Sequence, residues 1–156
     1  MVPTIDRRDS LPTRERILLE ASRLFARKGY HGTSTREIAA AVEIQQPSLF
    51  HHFASKHAIM AELIDIDHDE ATAIAEREAD TPGSPALRLY RYLVADISHI
   101  CSCAYDLSSV EVAMGDPEFE EKSRGHARLL AARRKIIDEG IASGEFVAVN
   151  ADLPQK

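Results

Sequence analysis

Ser34-Thr35-Arg36-Glu37-Ile38-Ala39-Ala40-Ala41-Val42-Glu43-Ile44-Gln45-Gln46-Pro47-Ser48-Leu49-Phe50-His51-His52-Phe53 is the stretch that decides the fold. Its first four residues fit a capping box, in which the Ser hydroxyl and the Glu carboxylate three residues on satisfy each other's exposed backbone N–H groups and so start a helix. Ile38, Ala39 and Val42 fall on the inner face of that helix. A second start follows at Gln45-Gln46-Pro47, because proline suits a first helical turn, where the N–H it lacks has no partner to lose. Leu49, Phe50 and Phe53 stand at i, i+1 and i+4 and are expected to face inward. Gln46, Pro47, Ser48, His51 and His52 are left facing out.

Outward from this pair the helical period continues in both directions. On the N-terminal side a polar arm with prolines at 3 and 12 leads to Thr13, a candidate cap for a helix with apolar Ile17, Leu18, Ala21, Leu24 and Phe25, which Gly29 stops. On the C-terminal side Ser55 can cap a long helix to about Asp80, with Ile59, Leu63, Ile66 and Ile74 on its buried side. Thr81-Pro82-Gly83-Ser84-Pro85 breaks it. Further helices are expected from Pro85 to Cys103 with apolar Leu89, Leu93, Ile97 and Ile100, from Leu107 to Met114, and from Pro117 to Ser143 with Leu129, Leu130, Ile136, Ile137 and Ile141. Gly144 suits the position just past the last one. Strand-like alternation is confined to Phe146–Val149, so the fold class is all-α, with a first domain over 1–55 and a second over 56–156.

The 156 residues hold 19 Lys+Arg, 25 Asp+Glu and 7 His, a formal charge of -6. A chain of this length hides roughly 70% of its unfolded surface and needs no staples. The net charge counts against a phosphate-binding partner only until the chain is divided. Residues 1–60 carry nine basic and six acidic side chains, a net +3; residues 61–156 carry ten and nineteen, a net -9. The absence of a long apolar run and of a secretory leader pattern leads to the expectation of a cytoplasmic protein with no membrane segment. Cys101 and Cys103, two residues apart, form no disulfide framework and chelate poorly on a helix. Asp65, His68 and Asp69 share a helical face, but charge runs on long helices are usually solvated, and no metal or cofactor is expected. Neither a glycine-rich phosphate loop nor a nucleophile elbow is present, so no catalytic residue is assigned and no enzyme is expected.

Two short helices joined by a tight turn inside the basic part, the second displaying Gln, Ser and His, describe a helix-turn-helix. Such a helix fits the major groove, where Gln pairs bidentately with adenine and Ser or His bonds bases or phosphates. From Thr13 to Leu63 the sequence resembles the TetR family of transcriptional regulators. The resemblance is carried by Gly29-Tyr30, Thr33-Ser34-Thr35-Arg36-Glu37-Ile38-Ala39, Leu49-Phe50-His51-His52-Phe53 and Ser55-Lys56. It implies a three-helix DNA-binding domain followed by an all-helical domain that takes a small-molecule effector. It also implies a homodimer acting on double-stranded operator DNA. Carried over by position, Gln45, Gln46, Pro47, Ser48, His51 and His52 belong to the recognition helix and its start, with Thr35, Arg36 and Lys56 as phosphate anchors. Three departures stand out. Phe50 replaces a common Tyr; Glu43 replaces a common turn Gly, at about 1 kcal/mol if the backbone there is left-handed; and two family dimerisation helices have no counterpart before Lys156. The chain is then either a fragment or a dimer built differently.

On the helix from Pro85, Tyr92, Asp96, His99 and Cys103 recur at i, i+4, i+7 and i+11, a stripe that suits either solvent or the lining of an effector pocket. Tyr105, Met114, Phe119 and His126 are further pocket candidates. The function read from all this is a ligand-responsive regulator, a repressor released from a palindromic operator by its effector. The other reading is a small-molecule-binding or protein-interaction module whose helix-turn-helix no longer engages DNA, with Glu43 and Phe50 as the features that favour it.

Overall fold

A computed structural model describes residues 11–148. Its helices are α1 (Thr13–Lys28), α2 (Thr35–Ala41), α3 (Gln46–His52), α4 (Lys56–Asp80), α5 (Pro85–Ser102), α6 (Val110–Met114), α7 (Glu120–Gly125) and α8 (Ala127–Ser143), with a 3-10 turn at Pro117–Phe119 before α7. No strand occurs among the described residues, and the all-α fold expected from the sequence is what is found. The arm with Arg7 and Arg8 and the final stretch with Val149 lie outside the described residues.

The chain forms two compact units. The first takes the described residues up to Asp67 together with Cys103–Arg124, the second His68–Ser102 together with the described residues from Gly125. The division therefore runs through α4, whereas the sequence placed it at residues 55 and 56. The reason is the first unit's core. Ile17, Leu18, Phe25, Ile38, Val42, Leu49 and Phe53 from the three N-terminal helices share it with Ile59, Met60, Leu63 and Ile64 of α4 and with Val110, Ala113 and Phe119. The second unit has a smaller core of Ala71, Ile74, Ala75, Ala79, Tyr92, Leu129, Ala132 and Ile136.

Local expectations meet the structure unevenly. Gly29 stops α1 at φ 74°, Ser55 Oγ accepts from the Ala58 N–H at 3.1 Å, and Gly144 ends α8 in the left-handed region at φ 78°. Thr13, by contrast, is the first residue of α1 rather than its cap: Pro12 takes the cap position and no side chain bonds there. Phe50 does not face inward but stands 45% exposed, while Leu49 and Phe53 are buried in the core. The helix expected from Pro117 to Ser143 breaks at His126, so α7 and α8 are separate. On α5 the expected apolar face is mostly turned outward, with Leu89 half-buried against the second core. Leu93, Ile97 and Ile100 are exposed, while Pro85, Arg88 and Tyr92 are buried.

Candidate nucleic-acid interface

The capping box predicted at Ser34 is formed. The Glu37 N–H donates to Ser34 Oγ at 3.2 Å and the Ser34 N–H to Glu37 Oε2 at 2.8 Å. Lys28 Nζ bonds Glu37 Oε1 at 2.5 Å, and that bond, with the two from Ser34, lowers the Glu37 pKa from 4.5 to about 2. Glu37 thus remains an anion at the start of α2, where the helix dipole favours one. Arg16 closes the other end by donating to the Val42 carbonyl at 2.7 Å. Beyond it Glu43 has φ 60°. The family's usual glycine position is therefore left-handed here and is held by a residue that pays a steric penalty for it.

The turn delivers α3 with Gln45 as cap residue and Pro47 in the first turn, and Leu49, fully buried, fixes its rotation. Gln45, Gln46, Pro47, His51 and His52 are exposed and Ser48 is half-buried, so the predicted outer row is presented together. Gln46 is oriented in the absence of DNA: its Nε2 donates to Thr35 Oγ1 at 2.9 Å. Arg36 is exposed on the same helix as Thr35, and Arg36, Glu43, Gln45, Gln46 and Pro47 line one hollow of about 520 Å³. Lys56 is turned partly inward. Its ammonium donates to the carbonyls of Tyr30 at 2.8 Å and Thr33 at 2.9 Å, and lies 4.2 Å above the Tyr30 ring. Two of its three donors are thereby used to close the turn between α1 and α2. The sequence carried no signal for this, since the carbonyls belong to residues more than twenty positions away.

The residues proposed for an effector pocket are divided between the two units. Cys103, Tyr105, Met114 and Phe119 belong to the first unit, where Tyr105 and Met114 pack against the core and Phe119 is 1% exposed within it. Phe119 stacks on His57 at 4.7 Å and meets Tyr30 edge-on at 5.1 Å, contacts that make it a core residue. Tyr92, Asp96, His99 and His126 belong to the second unit. There Tyr92 is buried and donates from its hydroxyl to Asp96 at 3.1 Å; burial, outweighing nearby Arg133, pushes its pKa up to about 12. Sequence reading missed two neighbours of this group. Arg88, 6% exposed, donates to the Ala79 carbonyl at 2.8 Å and to Glu139, and Arg133 lies 5.2 Å over the Tyr92 ring and 3.7 Å from Asp96. Arg88 precedes Tyr92 by four residues, so the buried row was visible as a period but not as a buried one. Asp65 is held by Lys122 at 2.5 Å and the His68 ring lies 4.7 Å from that of His126.

A capped helix, a tight left-handed turn and a second helix showing amide, hydroxyl and imidazole groups outward define a helix-turn-helix DNA-binding protein. Residues 17–63 match the family described as bacterial regulatory proteins, tetR family. The HTH-type transcriptional repressor DhaR of Mycobacterium sp. (strain GP1) is 27% identical over 139 residues, 86% of this chain and 70% of that protein. The HTH-type transcriptional regulator UidR of Escherichia coli (strain K12) is 37% identical over 65 residues, 42% of this chain and 33% of UidR. The crystal structure of Mycobacterium smegmatis AmtR superposes with a TM-score of 0.78 at 34% identity, covering 88% of this chain and 67% of that one. The chain belongs to the TetR family of transcriptional regulators. No helix among the described residues is long and apolar enough to cross a membrane.

Proposed function

We propose that the chain is a ligand-responsive repressor of the cytoplasm that binds palindromic operator DNA as a homodimer and is released by a small-molecule effector. The observation that carries the DNA part is the outer row of α3, presented in one direction by buried Leu49, with Gln46 already aimed by Thr35. In this reading Gln45 and Gln46 read base edges, Pro47 and Ser48 meet the groove wall, His51 and His52 approach phosphates, and Thr35, Arg36 and the remaining donor of Lys56 anchor the backbone. Two such helices in a dimer must sit about one DNA turn apart, roughly 34–36 Å, or a multiple of it. The effector part rests on the second unit, to which Tyr92, Asp96, His99 and His126 all belong and where the Tyr92 hydroxyl donates to Asp96. α4 contributes to both units, and an effector that favours one position of it lowers operator affinity by binding two states unequally. Gel shifts against the chain's own upstream region, repeated across salt and with candidate effectors, test the proposal. Equal affinity for that region and for random DNA at every salt concentration refutes the repressor reading.

A further inference from the structure

A groove within the second unit runs mostly along α8. Leu89 of α5, Leu130, Ile137 and Ile141 of α8, and Phe146 after it line a cavity of about 920 Å³ with Arg133 among them, within the size range of small-molecule sites. Phe146 is seated there by Gly140: its N–H donates to the Gly140 carbonyl at 3.0 Å, and a Cβ on Gly140 would stand 2.0 Å from its ring. The polar groups of the groove are unequal. Arg134 is satisfied by Asp138 at 2.8 and 2.9 Å. Arg133 is not. One face of its guanidinium lies over Tyr92, and the Asp96 carboxylate stands at 3.7 Å and already accepts from the Tyr92 hydroxyl, while its Nε is buried with no hydrogen-bond partner among the described residues. A buried donor left unpaired costs about 1–3 kcal/mol, and a guanidinium edge is shaped for a carboxylate.

We propose that the α5–α8 groove is a binding site for a small amphiphilic carboxylate, with the head group on Arg133 and the apolar body along Leu130, Ile137, Ile141 and Phe146. This names the effector class of the repressor reading and rests on it, but the binding is measured without DNA. The discriminating experiment is calorimetric titration of the whole chain with octanoate and with octan-1-ol. Octanoate is expected to bind at least about tenfold more tightly than the alcohol, the least that a charge-assisted bond contributes. Arg133→Gln should bring the two affinities together. Because Arg133 also packs on Tyr92, Leu130→Glu provides a second variant: Leu130 is 53% exposed, and a carboxylate there should abolish octanoate binding in a chain of unchanged helicity. Equal affinities in the unsubstituted chain, or octanoate binding that survives both substitutions, overturn the site. So does a self-associated chain that ignores octanoate and becomes monomeric on Leu130→Glu, which would give the groove to a second copy. Loss of the carboxylate site with operator binding intact would leave the repressor reading standing.

Discussion

Replacing Glu43 by glycine should stabilise the first unit, and by an amount that the backbone sets. At φ 60° an L-residue pays roughly 1–2 kcal/mol against its Cβ. Glycine escapes that cost but surrenders about 0.5–1 kcal/mol through the greater freedom of its unfolded chain. The side chain is exposed and makes no hydrogen bond or ion pair among the described residues, so little else is lost. The balance is a gain of about 0.5–1 kcal/mol, or a rise of roughly 1–4 °C in a domain of this size. Glu43→Ala is the control: it removes the same charge but keeps the Cβ and should not share the gain. Urea unfolding followed by far-UV circular dichroism reads the strain, and low-salt binding to random DNA reads the charge. Both variants should bind random DNA more tightly, by the same factor, because each removes one carboxylate beside α3. A glycine variant no more stable than the alanine variant would refute the strain argument.

Lys56→Ala should lower the urea midpoint as well as DNA affinity, by about 1–3 kcal/mol for the carbonyl bonds, with the salt slope falling by about one; a variant of unchanged stability would contradict its inward placement. Gln46→Ala should relax base preference by roughly 1–3 kcal/mol at particular positions and leave random-sequence binding alone, as selection from a randomised operator would show. Because the Glu37 carboxyl is depressed from 4.5 to about 2, its stabilisation is complete above pH 4.5 and is lost as pH falls toward 2. Glu37→Gln should therefore flatten stability against pH in that window, and parallel curves would count against the capping box. Gly140→Ala should cost about 1–3 kcal/mol by overpacking. Most of that should vanish in a Phe146→Ala background, and additive costs in the double mutant would mean that the ring is not seated there.

The helix-turn-helix was legible because the rules that define it are local. The box at Ser34, the proline at 47, the stop at Gly29 and the burial period of Ile38, Val42 and Leu49 all concern residues within one or two turns of each other. Even the anomaly at Glu43 could be read in advance, since a left-handed turn position is a property of the backbone. What could not be read is what depends on partners far along the chain. Tyr30 donates to Glu118 at 3.0 Å across 88 positions, and Asp106 donates its N–H to Ser22 across 84. Such contacts make residues 103–124 part of the first unit and turn Phe119 from a pocket candidate into core. The carbonyls of Tyr30 and Thr33 that Lys56 holds were out of reach for the same reason.

The reversal of α5 follows a different logic, and it ties the two unexpected arginines together. A period identifies two faces of a helix but does not say which one the neighbours will accept. On α5 the outward face holds Leu87, Tyr90, Leu93, Val94, Ile97 and Ile100, each between 42 and 65% exposed. The inward face is paid for by Arg88 and Tyr92, long side chains whose stems and ring fill apolar space while their polar ends find Ala79, Glu139 and Asp96. That arrangement consumes Asp96 on Tyr92 and leaves Arg133, the other neighbour of Asp96, short of an acceptor at Nε. The same rotation that buries Tyr92 thus leaves a guanidinium whose Nε has no partner among the described residues, on a side chain that also lines the α8 groove. If α5 instead presented Leu93 and Ile97 inward, Arg133 would lose its aromatic platform and the groove its amphiphilic character together. Tyr92→Phe, which keeps the ring and frees Asp96 of its hydroxyl donor, should therefore draw Arg133 toward Asp96 and weaken octanoate binding while leaving the helices intact. Octanoate binding unchanged by that substitution would separate the groove from the buried row.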